Sequence, residues 1–235
     1  MKPLLMQYDQ LLRADADTLP TPKMRGYWAD KLTLSLNAGY ATTIADAKLA
    51  LLATENGLVW DGLRNVGSTY YGPSHGVLHL LELTMAVGVV VRSYLFGPGT
   101  GCQLPPRLRP KDMDCEWGSG LWQGVTLLYS QQIAANHMSG SGFPLNFETG
   151  AVFDVGSGDV LNICDVKMLH VYHGRERFSK LALIDGEYEN FDMSELDLRN
   201  TRDLMTYMAL TANGIGSNGQ VALERVGGDI SVLCD

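Results

Sequence analysis

His75, His79 and Glu82 form the tightest grouping of ligand-type side chains in this chain. On a helix, at about 100° per residue, His79 lies ~40° from His75, and Glu82 lies ~20° from it on the other side. Two imidazoles one turn apart can reach one metal ion. A carboxylate one turn further along can complete the set or orient a histidine. Imidazole and carboxylate suit zinc, and a water in the remaining position would become a hydrolytic nucleophile. His75, His79 and Glu82 are therefore the candidate metal site, with Zn as the candidate cofactor and metal-dependent hydrolysis as the activity. The plainer alternative is a helix start at Ser74 and His75, with Glu82 paired to Arg92 or another base, because a buried carboxylate needs a partner.

Three other patterns bear on chemistry. Gly72-Pro73-Ser74-His75-Gly76 fits G-x-S-x-G, the turn that exposes the nucleophile in α/β-hydrolases. A helix follows it, but the preceding GSTYY makes a poor buried strand. The triad order fails with Asp185, since the last histidine is His173, and only Asp154 or Asp165 would restore it. Capping of the helix by Ser74 is simpler. Val152 to Asp159, VFDVGSGD, resembles the first motif of S-adenosylmethionine-dependent methyltransferases, in which a strand ends in an acid and a glycine turn admits the cofactor. That resemblance implies a methyltransferase-like protein. It covers eight residues, and Val160 stands where a further glycine is usual. A GSGD hairpin turn is the competing interpretation. In His170-Val171-Tyr172-His173, read as a strand, the two imidazoles point to opposite faces and are not co-ligands. The chain carries no Walker A, H-E-x-x-H or EF-hand pattern.

The element that must position the first site is Ser74–Phe96, the most apolar stretch. A helix apolar all round is buried in a core or spans a membrane. His79, Glu82 and Arg92 break the run into pieces much shorter than the ~20 apolar residues a bilayer needs, so no membrane span is expected. Leu81 is expected in the core. Gly88 and Val89–Val91 leave open a helix stop and a strand to Phe96.

Apolar spacing predicts helices from Pro3 through Leu12, from Pro22 through Leu36 to a stop at Gly39, and from Thr43 to near Gly57. Gly97 to Gly120 is rich in Gly and Pro and reads as a loop or arm. A helix follows from Leu121 to His137, whose cation would suit a helix C-terminus. Strands are expected at 151–155, 160–171 and 178–184, then a helix from Ser194 to Asn213. A hairpin closes the chain around Gly227-Gly228. The fold class is α+β: a helical N-terminal half and a mixed C-terminal half with a terminal β-hairpin. Its parts are 1–96, 97–120 and 121–235, arranged as one compact unit.

With 46% hydrophobic and 19% charged residues among 235, the chain is ordinary for a globular protein. A net charge of -8 argues against general nucleic-acid binding. The first 17 residues lack a signal-peptide pattern, which points to a cytoplasmic or intracellular protein. Four cysteines without C-x-x-C spacing are expected as free thiols, with Cys102 and Cys115 the pair that could bridge. The leading functional expectation is a non-enzymatic interaction or assembly protein, such as a structural or shell component or an immunity-type binder. It would engage a protein partner or self-assemble through the 97–120 arm. The metal-dependent hydrolase is the competing expectation.

Overall fold

The computed structural model describes residues 2–36, 39–97, 121–156, 158–171, 178–215 and 234. In chain order the elements are α1 (Lys2–Leu5), β1 (Gln10–Arg13), β2 (Thr18–Pro20), β3 (Leu32–Leu36), α2 (Thr43–Glu55), β4 (Tyr70–Pro73), α3 (Ser74–Phe96), α4 (Thr126–Gly140), β5 (Leu145–Thr149), α5 (Gly150–Phe153), β6 (Val155–Gly156), β7 (Met168–His170), α6 (Lys180–Ile184) and α7 (Thr201–Ala212). The fold is α+β. It separates into two interleaved compact units: Met1–Arg13 with Ala29–Glu148, and Ala14–Trp28 with Thr149–Asp235. The divisions therefore fall elsewhere than at the Gly/Pro-rich segment, whose residues 98–120 lie outside the described ones, Cys102 and Cys115 included.

The first unit combines helices with a four-stranded sheet of order β1-β4-β3-β5, so the expected helical N-terminal half is not clearly borne out. The helix expected over Pro3–Leu12 is one turn, α1, followed by a strand. Leu11 and Leu12 enter β1, which pairs antiparallel with β4. The helix expected over 22–36 is likewise replaced by a 3-10 turn at Pro22–Met24 and by β3. Leu32 and Leu34, one period-two step apart, are fully buried there. Gly72 has φ +154°, and a Cβ on it would stand 2.8 Å from the Lys31 carbonyl oxygen. Close passage of β4 over the start of β3 thus requires this glycine.

α3 is one continuous helix through Gly88 to Phe96, which removes the option of a strand there. Its start is not capped by the Ser74 side chain. Ser74 is buried, its N–H donates to the Asp9 carbonyl at 3.1 Å and its hydroxyl donates to the Tyr8 carbonyl, tying the helix to the approach of β1. That hydroxyl is thus committed to the backbone, which leaves the G-x-S-x-G pattern without a nucleophile. α3 is also long and apolar enough to cross a membrane by length and composition. Here its inner face packs with α4. Leu80, with Val77, joins Leu32, Leu34, Tyr70, Ala134 and Met138 in a buried cluster, while Leu81 is only partly buried at the edge of that cluster. The expectation for Leu81 belongs one residue earlier.

α4 carries buried polar side chains that grip an extended segment. The Asn136 Oδ1 accepts from the Asp61 and Leu63 N–H groups at 3.0 and 2.8 Å. The Gln132 Oε1 accepts from the Asn65 N–H, and the Gln132 amide donates to Asp46 at 2.7 Å. Burial of these amides is tolerated because they are so paired. α4 continues past His137 to Gly140, and the His137 Nδ1 accepts from the Val59 N–H at 3.1 Å.

The second unit holds a three-stranded sheet, β2-β7-β6. β7 pairs antiparallel with β2 and parallel with β6. The chain from Gly156 to Met168 is therefore a crossover and not the expected hairpin. Residues expected as strand differ here too: 150–153 form a helical turn, and Lys180–Ile184 is helical behind a Ser179 cap. α7 starts at Thr201 behind an Asn200 cap and packs Leu204, Met205 and Leu210 onto Val155, Ile163 and Leu169. Cys164 and Cys234 are joined by a disulfide, which overturns free thiols at these two positions. The expected terminal hairpin falls on residues outside the described ones, except Cys234.

Candidate metal centre

The sequence-derived trio does not converge. Glu82 is held by Lys2, whose ammonium donates to both carboxylate oxygens at 2.6 and 2.8 Å. His75 and His79 are exposed and lie beside the Phe143 ring, with centroids 6.2 and 5.8 Å away. Among the described residues, one group places metal-type ligand atoms together: Asp15, Asp17 and His170, each with an atom within 4.8 Å of the others.

The sheet of the second unit builds this group. Asp15-Ala16-Asp17-Thr18 is a turn closed by the Thr18 N–H donating to the Asp15 carbonyl at 3.1 Å, and it leads directly into β2. Asp is favoured at the first position of such turns. Thr18 faces His170 in the β2–β7 register. The ladder extends one step further, because the Val171 N–H donates to the Asp17 carbonyl at 2.9 Å. The backbone thus fixes the Asp17 and His170 side chains at the same end of the sheet, where β2 begins and β7 ends. Asp154, the residue before β6, comes from the third strand.

The imidazole of His170 is shared. Its Nδ1 lies 2.9 Å from the buried Asp154 Oδ1, and its Nε2 lies 3.4 Å from Asp17 Oδ1. The other Asp17 oxygen accepts from the ammonium of Lys180, the first residue of α6. The hydrogen bond from His170, with that from Lys180, holds the Asp17 carboxyl well below the usual carboxylate range against the opposing push of burial. For His170, burial is the largest single influence and favours the neutral ring. The hydrogen bonds to Asp154 and Asp17 outweigh it and raise the pKa to about 9.

Stability should follow this shift in metal-free protein. The folded-state pKa of about 9 exceeds the ordinary 6.5, so the folded protein binds the proton more tightly. The stabilisation is full below pH 6.5 and is lost as pH rises through 9. Its size is on the order of 2–3 kcal/mol, shared with Asp17. Urea unfolding in chelator at pH 6 and pH 9.5 should show wild type losing about 2 kcal/mol more than His170→Gln over that interval. Equal losses would mean that His170 is not held as an ion pair.

Ligation by His170 needs a neutral ring, so a metal ion and the ring proton compete for Nε2. With the ring neutral, the carboxylates of Asp15, Asp17 and Asp154 and the Lys180 ammonium leave two negative charges, which a divalent cation cancels. The Asp15-x-Asp17 doublet stands in the sequence just after the expected Pro3–Leu12 helix, with no local signal that pairs it with His170; the nearest ligand-type neighbour of His170 in the sequence is His173, which lies outside the described residues. Of the VFDVGSGD stretch, Asp154 serves His170. Asp159 closes a turn, accepting from the Gly156 N–H at 3.1 Å.

Fold and site together define an α+β protein whose second unit carries an Asp–Asp–His cluster of metal-ligand type. The chain belongs to the family described as a domain of unknown function (DUF7164), which matches residues 1–218. No curated protein and no solved structure matches it.

Proposed function

We propose that this protein is a metal-dependent enzyme whose second unit binds a divalent cation between Asp15, Asp17 and His170, and that the cation and Lys180 together receive the phosphates of a diphosphate-bearing substrate. The observation that carries this reading is the convergence of two carboxylates, one imidazole and one ammonium at the end of the β2–β7 ladder. Two carboxylates with one imidazole make a mixed oxygen and nitrogen set of the kind that Mn²⁺ accepts. Three protein ligands leave positions for substrate oxygens, the usual arrangement where a cation works through phosphates. A cation held by Asp15, Asp17 and His170, with the Lys180 ammonium beside it, would bind diphosphate oxygens and neutralise their charge. The Cys164–Cys234 disulfide favours an oxidising compartment over the cytoplasm for this activity.

Calorimetric titration with inorganic pyrophosphate tests the reading. Pyrophosphate should bind only with Mn²⁺ present, and Lys180→Ala should weaken it by about tenfold or more while Mn²⁺ binding is retained. Metal-independent pyrophosphate binding, or equal binding by wild type and variant, would contradict it. The assembly reading remains the second proposal, supported by the outer face of α3, where Met85 and Val89 are 65% and 68% exposed. A protein that binds no Mn²⁺ and sediments as an oligomer would favour that second reading.

A further inference from the structure

We propose that Asp154 is a positioning residue that turns the Nε2 of His170 toward the metal and is not itself a ligand. This rests on the reading of Asp15, Asp17 and His170 as the ligands. Asp154 immediately precedes β6, which runs parallel to β7 with Gly156 opposite His170. Its side chain is 1% exposed and lies on the far side of the imidazole from Asp17, with Oδ1 2.9 Å from Nδ1 while Nε2 faces Asp17 at 3.4 Å. The oxygens of Asp154 fall outside the group in which Asp15, Asp17 and His170 come within 4.8 Å of one another.

An ionised carboxylate can only accept a hydrogen bond, so the nitrogen facing it must carry the ring proton. Both ring nitrogens face a carboxylate in the metal-free protein; once a cation takes the Asp17 oxygens, the shorter bond to the buried Asp154 keeps the remaining proton on Nδ1 and leaves the lone pair on Nε2, the nitrogen that faces Asp17. A carboxylate behind a ligating imidazole also makes the ring a stronger donor and fixes its plane. β6 is the element that delivers this carboxylate, which gives the two-residue strand a role in the site beyond sheet pairing.

The test is Asp154→Asn in the full chain, with Mn²⁺ as the probe. An asparagine keeps the volume but can offer either its oxygen or its amide to Nδ1, so it no longer dictates the tautomer. Mn²⁺ affinity should fall about 10- to 100-fold, in line with loss of such a partner. In wild-type protein loaded with Zn²⁺ as a diamagnetic stand-in, ¹⁵N NMR should place the remaining His170 ring proton on Nδ1. That measurement stands even if the variant fails to fold. Wild-type affinity in Asp154→Asn, or a ring proton on Nε2, would overturn the positioning role while leaving the metal site intact, provided that Asp17→Asn still loses Mn²⁺. Wild-type protein that binds no Mn²⁺, or Asp17→Asn that binds it like wild type, would instead sink the metal reading and this inference with it.

Discussion

Asp17→Asn should abolish Mn²⁺ binding, raising the dissociation constant by about two orders of magnitude or more. Asp17 bridges the two basic groups of the cluster. One carboxylate oxygen faces His170 Nε2 at 3.4 Å and the other accepts from Lys180. An amide in its place is neutral, a weak ligand, and cannot balance two cations. Metal-free Asp17→Asn should also be less stable than wild type near neutral pH, because His170 and Lys180 lose their shared counter-charge while half-buried. The double change His75→Ala, His79→Ala should leave Mn²⁺ binding untouched, as should Glu82→Gln, since Glu82 is tied to Lys2 on an exposed face. Titration followed by the electron spin resonance of free Mn²⁺ measures all of these variants directly. Loss of metal in the His75/His79 variant with retention in Asp17→Asn would reverse the assignment.

Leu80→Ala should destabilise the first unit by about 2–5 kcal/mol, whereas Leu81→Ala should cost roughly 1 kcal/mol or less. Leu80 is fully enclosed by Leu32, Leu34, Tyr70, Val77, Ala134 and Met138, side chains from two strands and both long helices. Those elements are held by sheet pairing and by the α4 amides, so the cavity left by alanine cannot collapse fully. Leu81 sits one residue, about 100°, further around the helix and is partly exposed already. Urea unfolding read by a probe in the first unit should separate the two variants by several kcal/mol. Equal losses would mean that α3 is rotated from the orientation described.

The long helices were legible because their signals are local. α3 is a 23-residue apolar run, α2 starts after a threonine cap, and α7 has an Asn200 cap and buried positions at helical spacing. The short strands were not. Leu11 and Leu12 fit a helical continuation of Leu4, Leu5 and Tyr8, and only pairing with Tyr71 and Gly72 makes them a strand. Leu32 and Leu36 suit helical spacing as well as alternation with Leu34, and tertiary pairing decided between the two. The candidate centre was hidden for the same reason. Asp17 and His170 are separated by most of the chain, and no window of sequence contains both. The trio His75, His79 and Glu82 was attractive because its proximity was local, but a shared helical side is not a shared ligand point, and Lys2 takes the carboxylate from across the unit.

The most direct measurement is the position of a bound ion. Crystals grown with Mn²⁺, with diffraction recorded on both sides of the manganese edge, give an anomalous difference map that marks the ion independently of refinement. A peak is expected at roughly 2.0–2.4 Å from a carboxylate oxygen of Asp15, one of Asp17 and the Nε2 of His170, with Asp154 still on Nδ1. A peak beside His75, His79 and Glu82, or no peak at saturating Mn²⁺ with Asp17 still paired to Lys180, would contradict the assignment of the centre.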